Sequence, residues 1–317
     1  MPNDQVVKNE RAPAGVDRTM DAIVAELRDL RNASLAARHR EGNPLRLPSR
    51  KSLASIVEGL SAALFPNRLG LRQLAHESID YYVGHTLDEA CRDLVEQVVL
   101  ELQFVAGSGI DHREQGRRAQ ELVRDFARGL PDIRRVLETD ILAAYEGDPA
   151  ARSIDEVLAC YPGITAILHH RLAHALHRLG LPLIARMIAE IAHSTTGIDI
   201  HPGAQIGTSF FIDHGTGVVI GETAVLGNRV RLYHGVTLGA KRFAVDEMGG
   251  LVKGNARHPI VEDDVVIYAG ATILGRVTLG QGSVIGGNVW LTHSIPPGSQ
   301  ISQAKFRSEV FDDGSGI

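Results

Sequence analysis

Apolar residues recur at steps of three and four through the first part of the chain. In residues 17–40 the positions Ile23, Val24, Leu27 and Leu30 follow this spacing, which places them on one side of an α-helix. Residues 87–107 and 114–130 repeat the pattern, with glycines 107 and 129 where helix ends are expected. Further helices are predicted at 51–65, 131–146, 163–179 and 182–195. Residues 15–196 are therefore predicted to form a helical bundle, most of whose residues serve packing and oligomerisation.

At Gly197 the period of the apolar positions changes to six residues. Aliphatic residues stand at Ile200, Ile206, Ile212, Val218, Ala224, Val230 and Val236. After an interruption, the same step of six gives Ile260, Val266, Thr272, Thr278, Val284 and Trp290. A six-residue period sustained in this way is typical of a left-handed parallel β-helix, the hexapeptide solenoid. The predicted fold class is α+β in sequence order, with the helical bundle first and the β-helix second.

The predicted solenoid also sets the bounds of the β-helix, of a loop within it and of the two terminal tails. Three hexads make one coil, so each residue is expected to stack on its counterpart three hexads earlier. The β-helix is predicted over residues 197–297, with residues 240–258 extruded from one corner as a loop. Polar residues 1–14 are predicted to be a disordered tail, and residues 298–317 a C-terminal tail.

Composition excludes several classes of protein. The net charge of −5 gives no support for non-specific nucleic-acid binding, and no apolar run approaches the roughly 20 residues of a membrane span. The N-terminus has no apolar segment of the kind found in secretory signals. Cys91 and Cys160 lack metal-site spacing, so buried, reduced thiols are expected. We expect a cytoplasmic protein without nucleic-acid or membrane partners.

Four segments of the solenoid carry the chemistry-bearing residues. They are DIHP at Asp199–Pro202, DHGTGVVIGET at Asp213–Thr223, VTLG at Val236–Gly239 and RHP at Arg257–Pro259. GDPAA at residues 147–151 precedes them. In this order they closely resemble the serine O-acetyltransferases, a family of hexapeptide-repeat acyltransferases. The resemblance covers residues 140–295 and implies acetyl transfer from acetyl-CoA to the hydroxyl of L-serine, which gives O-acetylserine for cysteine biosynthesis.

The attack of a serine hydroxyl on a thioester needs a base, and histidine titrates near neutral pH. The resemblance gives this catalytic role to His214. A carboxylate on the other ring nitrogen would fix the tautomer. Asp199 is the predicted partner, because stacking by three hexads puts it over Gly217, close to His214. Asp213 is expected to point away from this imidazole, since neighbours in an extended segment alternate.

The resemblance also implies roles for the substrate-binding residues. Asp148 and Asp213 bind the serine ammonium, and Arg257 holds the carboxylate through its planar fork. His258 lies near the reacting hydroxyl or the developing oxyanion. For Asp148, capping of the next helix is an alternative, because Asp-Pro commonly begins a helix. The histidines at 170, 174 and 177 share one helical face, which suits a metal or, preferably, a solvated or interfacial helix.

Acetyl-CoA is expected as a co-substrate, with no resident cofactor and no metal. The resemblance places its arm along the outside of the coils, at Gly239, Ala240, Lys241, Ala269 and Gly287. It further implies a homotrimer or dimer of trimers, in which Arg257 and His258 come from a different subunit than His214. Cysteine is the expected feedback inhibitor, and the C-terminal Ile317 resembles the residue that this family inserts into cysteine synthase.

Three other functions remain open from the sequence. The first is a hexapeptide acetyltransferase with homoserine or a sugar as acceptor. The second is a zinc hydratase using His214, His234 and His258 across a trimer interface. The third is a non-catalytic subunit that binds cysteine synthase through its tail.

Overall fold

The computed structural model of the 317-residue chain describes residues 20–37, 46–71, 78–106, 111–242 and 249–303. Within them, the helices are α1 (Met20–Ala37), α2 (Arg50–Leu64), α3 (Pro66–Leu69), α4 (Ile79–Ala106), α5 (His112–Gly147), α6 (Ile154–Cys160), α7 (Pro162–Arg178) and α8 (Pro182–Thr196). The strands are β1 (Asp199–Ile200), β2 (Gln205–Ile206), β3 (Phe211–Asp213), β4 (Val219–Ile220), β5 (Val225–Leu226), β6 (Arg231–Tyr233), β7 (Thr237–Gly239), β8 (Ile260–Val261), β9 (Val266–Ile267), β10 (Thr272–Leu274), β11 (Thr278–Leu279), β12 (Val284–Ile285), β13 (Trp290–Leu291) and β14 (Gln300–Ile301). The predicted order of a helical part followed by a solenoid of short parallel strands is confirmed.

The chain divides into two compact units, residues 1–46 and residues 47–317. The first unit contains α1, which has no buried residue; Leu27 and Leu30 of its apolar stripe are 56% and 61% exposed. The second unit contains α2–α8 and all the strands described. The predicted boundary at residue 197 stays a prediction, although the last helix ends at Thr196. The predicted N-terminal tail lies outside the described residues, as does most of the C-terminal tail.

The longest helix runs through a position where we expected a boundary. α5 has 36 residues and contains Gly129 and Pro131, so the predicted helix end at Gly129 is wrong. Apolar residues are buried on each side of this point, with Phe126 2% and Leu137 0% exposed. Packing of one continuous apolar stripe outweighs the roughly 3 kcal/mol that a proline costs inside a helix.

A buried carboxylate stabilises the start of α8. Glu101 in α4 is 1% exposed and accepts hydrogen bonds from the backbone N–H groups of Leu183 (2.8 Å) and Ile184 (2.9 Å). These groups belong to the first turn of α8, where no carbonyl of the same helix can reach them. Burial raises the pKa of Glu101, and the two N–H donors oppose that rise.

A second buried carboxylate ties the helices to the solenoid. Asp140 in α5 is fully buried, pairs with the Arg171 guanidinium at 2.9 and 3.0 Å, and accepts the N–H of Phe210 at 2.9 Å. The same guanidinium donates to the carbonyl oxygens of Ile206 (2.8 Å) and Gly207 (2.6 Å). α5 and α7 are thereby fixed against the first coil.

The strands form three parallel β-sheets, and these sheets are the three faces of a triangular prism. Face A has the order β1-β4-β7-β10-β13, face B is β2-β5-β8-β11, and face C is β3-β6-β9-β12-β14. Buried aliphatic side chains fill the interior, including Ile220, Leu238 and Ile273 on face A. Between faces C and A lies the His214 corner, residues 213–218 and the turns stacked on it. Between faces A and B lies the His258 corner, residues 221–224 with 257–259 stacked on them.

The first coil is longer than predicted. Asp199 pairs with Val219, and Val219 pairs with Thr237, so the first of these coils contains two more residues than the second. The predicted stacking of Asp199 on Gly217 is therefore wrong. The additional residues are accommodated in the His214 corner, where His214 and Gly215 have positive φ angles of 56° and 89°.

After the extruded loop, the predicted apolar register is displaced by one residue. Thr237 pairs with Thr272, so the coil that carries the loop is longer than the preceding one. The number of additional residues is not a multiple of six. A one-residue slip moves every side chain to the other face of a strand. Trp290, assigned to the interior, is accordingly 70% exposed, and its neighbour Leu291 is 2% exposed. The buried residues of these strands are Val261, Ile267, Ile273, Leu279, Ile285 and Leu291.

No helix among the described residues is long and apolar enough to cross a membrane. Cys91 and Cys160 are free thiols. Cys91 is partly buried, but Cys160 is exposed because it ends α6, so the expectation of two buried thiols is wrong.

Candidate active site

His214 and Asp213 lie where β3 ends and the chain turns toward face A. The His214 side chain is 73% exposed, and its Nε2 lies 3.7 Å from Oδ1 of Asp213. The expectation that Asp213 points away from this imidazole is wrong, since the positive φ of His214 (56°) breaks the alternation of an extended strand. The next coil places His234 against it, with ring centroids 5.8 Å apart.

Helices α5 and α7 bring two further groups to the His214 corner. Asp148 follows the last residue of α5, and Tyr161 precedes the first residue of α7. The Tyr161 hydroxyl donates to Oδ2 of Asp148 at 2.5 Å, and the Ala150 N–H donates to Oδ1 at 2.8 Å. Tyr161 and then Ala150 lower the pKa of Asp148, and the nearby His214 acts in the same direction. Asp148 does not cap the following helix, because Ser153 does.

The His258 corner is built differently. Oγ1 of Thr223 accepts the backbone N–H groups of Arg257 (2.9 Å) and His258 (3.1 Å). Nη2 of Arg257 donates to Oε2 of Glu222 at 2.6 Å. Arg276 closes the corner by donating to the carbonyl oxygens of Thr223 (2.6 Å) and His258 (3.1 Å). Arg257 and His258 are thus held by side chains of neighbouring coils.

These contacts settle the protonation state of His258. Its Nδ1 accepts the backbone N–H of Thr223 at 3.0 Å, so the neutral ring carries its proton on Nε2. Burial, and then the charge of Arg257, lower the pKa of His258 to about 4. The side chain is 7% exposed. At neutral pH His258 is therefore an uncharged hydrogen-bond donor in a fixed tautomer.

One chain does not bring all the predicted site residues together. His214 and His258 lie at opposite ends of face A, on different corners. Asp199 makes no hydrogen bond or ion pair with His214 among the described residues. Its carboxylate instead lies within 4.8 Å of ligand atoms of Glu190 and His193, a group that could hold a metal ion. Asp148, Asp213 and His214 do come together in one chain.

The residues predicted to contact acetyl-CoA also divide between the corners. Gly239, Ala240 and Lys241 leave the end of β7 at the His258 corner. Ala269 and Gly287 stack above His214 and His234, with the Ala269 carbonyl accepting the N–H of Asn288 at 2.8 Å. Each corner thus carries part of the predicted co-substrate path.

The histidines of α7 face the solenoid. His170 is 2% exposed, its ring stacks on that of His174 at 5.6 Å, and Nδ1 of His174 lies 2.8 Å from the carbonyl oxygen of Pro202. His177 lies edge-on to His201, 6.2 Å away. The structure thus favours the interfacial interpretation of this helix.

Sequence reasoning missed Tyr161, Glu222, Thr223 and Arg276. Glu222 and Thr223 end the quoted segment DHGTGVVIGET, which is the signal that could have found them. Tyr161 and Arg276 reach the site only through the packing of helix on coil and of coil on coil.

Comparison with known proteins agrees with this arrangement. The family model described as bacterial transferase hexapeptide (six repeats) matches residues 258–293. The chain is 59% identical over 281 residues to the plasmid serine acetyltransferase of Synechococcus elongatus, a match covering 86% of each protein. The chain belongs to the serine acetyltransferase family. It is an acyltransferase with serine O-acetyltransferase function, as the resemblance in its motifs predicts.

Solved structures of serine acetyltransferases have the same fold. That of Entamoeba histolytica serine acetyltransferase 1 in complex with L-cysteine has a TM-score of 0.69 and 36% identity, covering 78% of this chain and 86% of that chain. That of the Neisseria gonorrhoeae enzyme in complex with serine has a TM-score of 0.51 and 29% identity, with coverages of 83% and 97%. The solenoid of this family is the left-handed hexapeptide β-helix.

Proposed function

We propose that the active site of this serine acetyltransferase consists of the His214 corner of one chain and the His258 corner of another. The supporting observation is the cluster at the His214 corner, where an exposed imidazole lies beside Asp213, with Asp148 close by. Acetyl-CoA donates the acetyl group, and L-serine accepts it.

In this proposal His214 is the general base. It removes the hydroxyl proton as the serine oxygen attacks the thioester carbonyl, and it returns the proton to the CoA thiolate that leaves. Asp213 and Asp148 bind the serine ammonium beside it, since two carboxylates offer charge-assisted hydrogen bonds to that group. This places the hydroxyl next to the imidazole.

The second corner supplies the groups that recognise the other charges. Arg257 binds the serine carboxylate, and Glu222 orients its guanidinium at 2.6 Å. Neutral His258, with its proton on Nε2, donates to the oxyanion that develops on the thioester carbonyl. A homotrimer of parallel prisms would put the His258 corner of one chain against the His214 corner of its neighbour.

Asp199 is proposed as the carboxylate partner of the catalytic imidazole because it pairs with Val219 at the edge of the same corner, although it makes no hydrogen bond with His214 among the described residues. Gly239, Ala240, Lys241, Ala269 and Gly287 are proposed to line the path of acetyl-CoA. The small residues leave the backbone accessible to the pantetheine amides, and Lys241 offers a positive charge to the phosphates.

Three further properties belong to this proposal. L-cysteine, which is bound in the Entamoeba histolytica structure, has the ammonium and carboxylate of serine and is proposed to inhibit at the same site. Complex formation with cysteine synthase through Ile317 rests on the resemblance, because Ile317 lies outside the described residues. A cytoplasmic location follows from the same assignment.

An acceptor screen tests the function. Release of CoA thiol is measured with acetyl-CoA and L-serine, homoserine or an amino sugar, and the product is identified by mass spectrometry. We expect serine-dependent turnover and O-acetylserine. Comparable turnover with homoserine or a sugar, and none with serine, would overturn the proposal in favour of a different acetyltransferase.

A further inference from the structure

Tyr161 brings a phenol to the edge of the His214 corner. It stands between Cys160, the last residue of α6, and Pro162, the first residue of α7, in an extended conformation with φ −79° and ψ 121°. A proline at the first helical position fixes the start of α7 at this residue. The position of the phenol therefore depends on where the first turn of α7 lies.

That turn rests directly on the strand that ends at Asp213. Gly163 in α7 has no side chain, and a Cβ there would lie 2.4 Å from the backbone oxygen of Ile212 in β3. No larger residue permits this approach. Glycine thus brings the N-terminus of α7 against β3 and sets Tyr161 beside the His214 corner.

The contacts of Asp148 account for both of its oxygens. Tyr161 donates to Oδ2 at 2.5 Å and the Ala150 N–H donates to Oδ1 at 2.8 Å, while Asp148 remains partly exposed. Each oxygen keeps a second lone pair for another donor. The side chain is thus held in one orientation before any ligand arrives, and the cost of ordering it is removed from the binding step.

The phenol itself is a constant donor. Its hydrogen bond to Asp148 raises the pKa of Tyr161 to about 12, so the hydroxyl stays protonated throughout the pH range in which a histidine base works.

We infer that Tyr161 is a positioning residue that pre-orients Asp148 to receive the ammonium of the amino-acid substrate. The inference rests on the proposed function, because Asp148 is assigned to the ammonium there. It concerns serine and cysteine recognition and leaves the chemical step and acetyl-CoA binding to other residues.

The test is Tyr161→Phe, which removes one hydroxyl and keeps the ring. We expect KM for L-serine to rise about fivefold to tenfold, less than a fully buried charged hydrogen bond would give, because Asp148 is partly exposed. kcat and KM for acetyl-CoA should stay within about twofold, since uniform binding of serine is what is lost. The Kd of L-cysteine, measured by calorimetry, should rise by the same factor as KM for serine.

A pH profile and a double-mutant cycle separate positioning from a general loss of structure. Because the phenol lowers the pKa of Asp148, Tyr161→Phe should move the acid limb of kcat/KM for serine to higher pH. In an Asp148→Asn background the same substitution should have no further effect on KM. The control, Tyr145→Phe, removes a phenol hydroxyl in α5 that makes no hydrogen bond among the described residues, and should match the unsubstituted protein.

Unchanged KM for serine and unchanged cysteine affinity in Tyr161→Phe would overturn the inference, as would an equal effect in the Asp148→Asn background. A fall in kcat alone would do the same. If the unsubstituted protein fails to acetylate serine, the proposed function fails instead, and L-cysteine calorimetry still reports on Tyr161. Circular dichroism and melting temperature verify that each variant is folded.

Discussion

The two histidines at the ends of face A differ in nearly every physical respect. His214 is 73% exposed on a left-handed turn, with carboxylates around it. His258 is 7% exposed, held by Thr223, and has a pKa lowered to about 4. An exposed imidazole beside carboxylates can accept a proton and carry the charge. A buried imidazole beside arginine stays neutral, and here it accepts a hydrogen bond at Nδ1 and can donate one from Nε2.

The comparison teaches that one residue type serves two tasks through its surroundings. A different feature of the fold creates the surroundings of each histidine. At the His214 corner the first coil has two additional residues, and α5 and α7 pack on β3, which leads into the turn. At the His258 corner the extruded loop returns onto Thr223, whose hydroxyl and backbone fix the returning segment.

The largest expected effect is a loss of kcat when either corner is inactivated, and its partial recovery when chains carrying the two substitutions are mixed. His214→Ala alone should lower kcat by about 10³-fold, and His258→Ala by about 10²-fold. If each site combines corners of two chains, refolding the two variants together should restore about a quarter of the normal activity, because random assembly pairs intact corners at one interface in four. The measurement is turnover with serine after mixing in denaturant and refolding.

Each variant refolded alone is the control for this experiment. A mixture no more active than the sum of its parts would place His214 and His258 of the same chain in one site, contrary to the proposal.

Gly221→Ala should disturb the His258 corner alone. A Cβ at this position would lie 2.1 Å from Cδ2 and 2.2 Å from Nε2 of His258, so the ring must move. Displacement of a catalytic group by about 1 Å costs on the order of 10²-fold in kcat/KM. Gly129→Ala in α5, where a Cβ meets nothing within 4 Å, is the control. Wild-type activity in Gly221→Ala would remove His258 from the mechanism.

Thr223→Val removes the hydroxyl that holds Arg257 and His258, with little change of shape. We expect a loss of about tenfold in kcat/KM for serine, since the two N–H groups lose their acceptor. Thr223→Ser keeps the hydroxyl and should retain activity to within about threefold. Equal losses in the two variants would indicate that the methyl group, and not the hydroxyl, supports the corner.

The sequence predicts the fold well because the fold depends on a local pattern, whereas the catalytic roles assigned to the motif residues stay predictions. The six-residue period is confirmed by the three faces, and the quoted segments contain His214, Asp213 and Asp148, which the structure brings together. The predicted register of the apolar residues was wrong because it depends on the lengths of two coils, one extended at the His214 corner and the other by the extruded loop. The interruption of the six-residue period marks the extruded loop but not how many residues the loop adds to its coil, and no local pattern marks the two additional residues of the first coil.

The partners of the site residues were hidden for a different reason. Tyr161 meets Asp148 only because α7 rests on β3 at Gly163, and Arg276 meets His258 one coil away. Such contacts arise from packing between distant segments, as does the exposure that makes His214 and His258 different. Asp199 shows the same limit, since its predicted contact with His214 was argued from a coil of three hexads and the first coil is longer.

The smallest expected effect concerns stability, and it sharpens the contrast in charge between the two corners. His258 binds a proton at about pH 4 in the folded chain and near pH 6.5 when unfolded. Between these values the unfolded state holds more protons, so acidification lowers the free energy of unfolding. His258→Asn should flatten this fall without abolishing it, because buried His170 also has a pKa well below its usual value. The measurement is the change of the urea midpoint between about pH 7.5 and about pH 4.5. In the matched control on the exposed corner, His214→Asn, this change should stay closer to that of the unsubstituted protein. Equal slopes in the two variants would contradict the neutral state assigned to His258, and with it the difference between a base at one corner and a donor at the other.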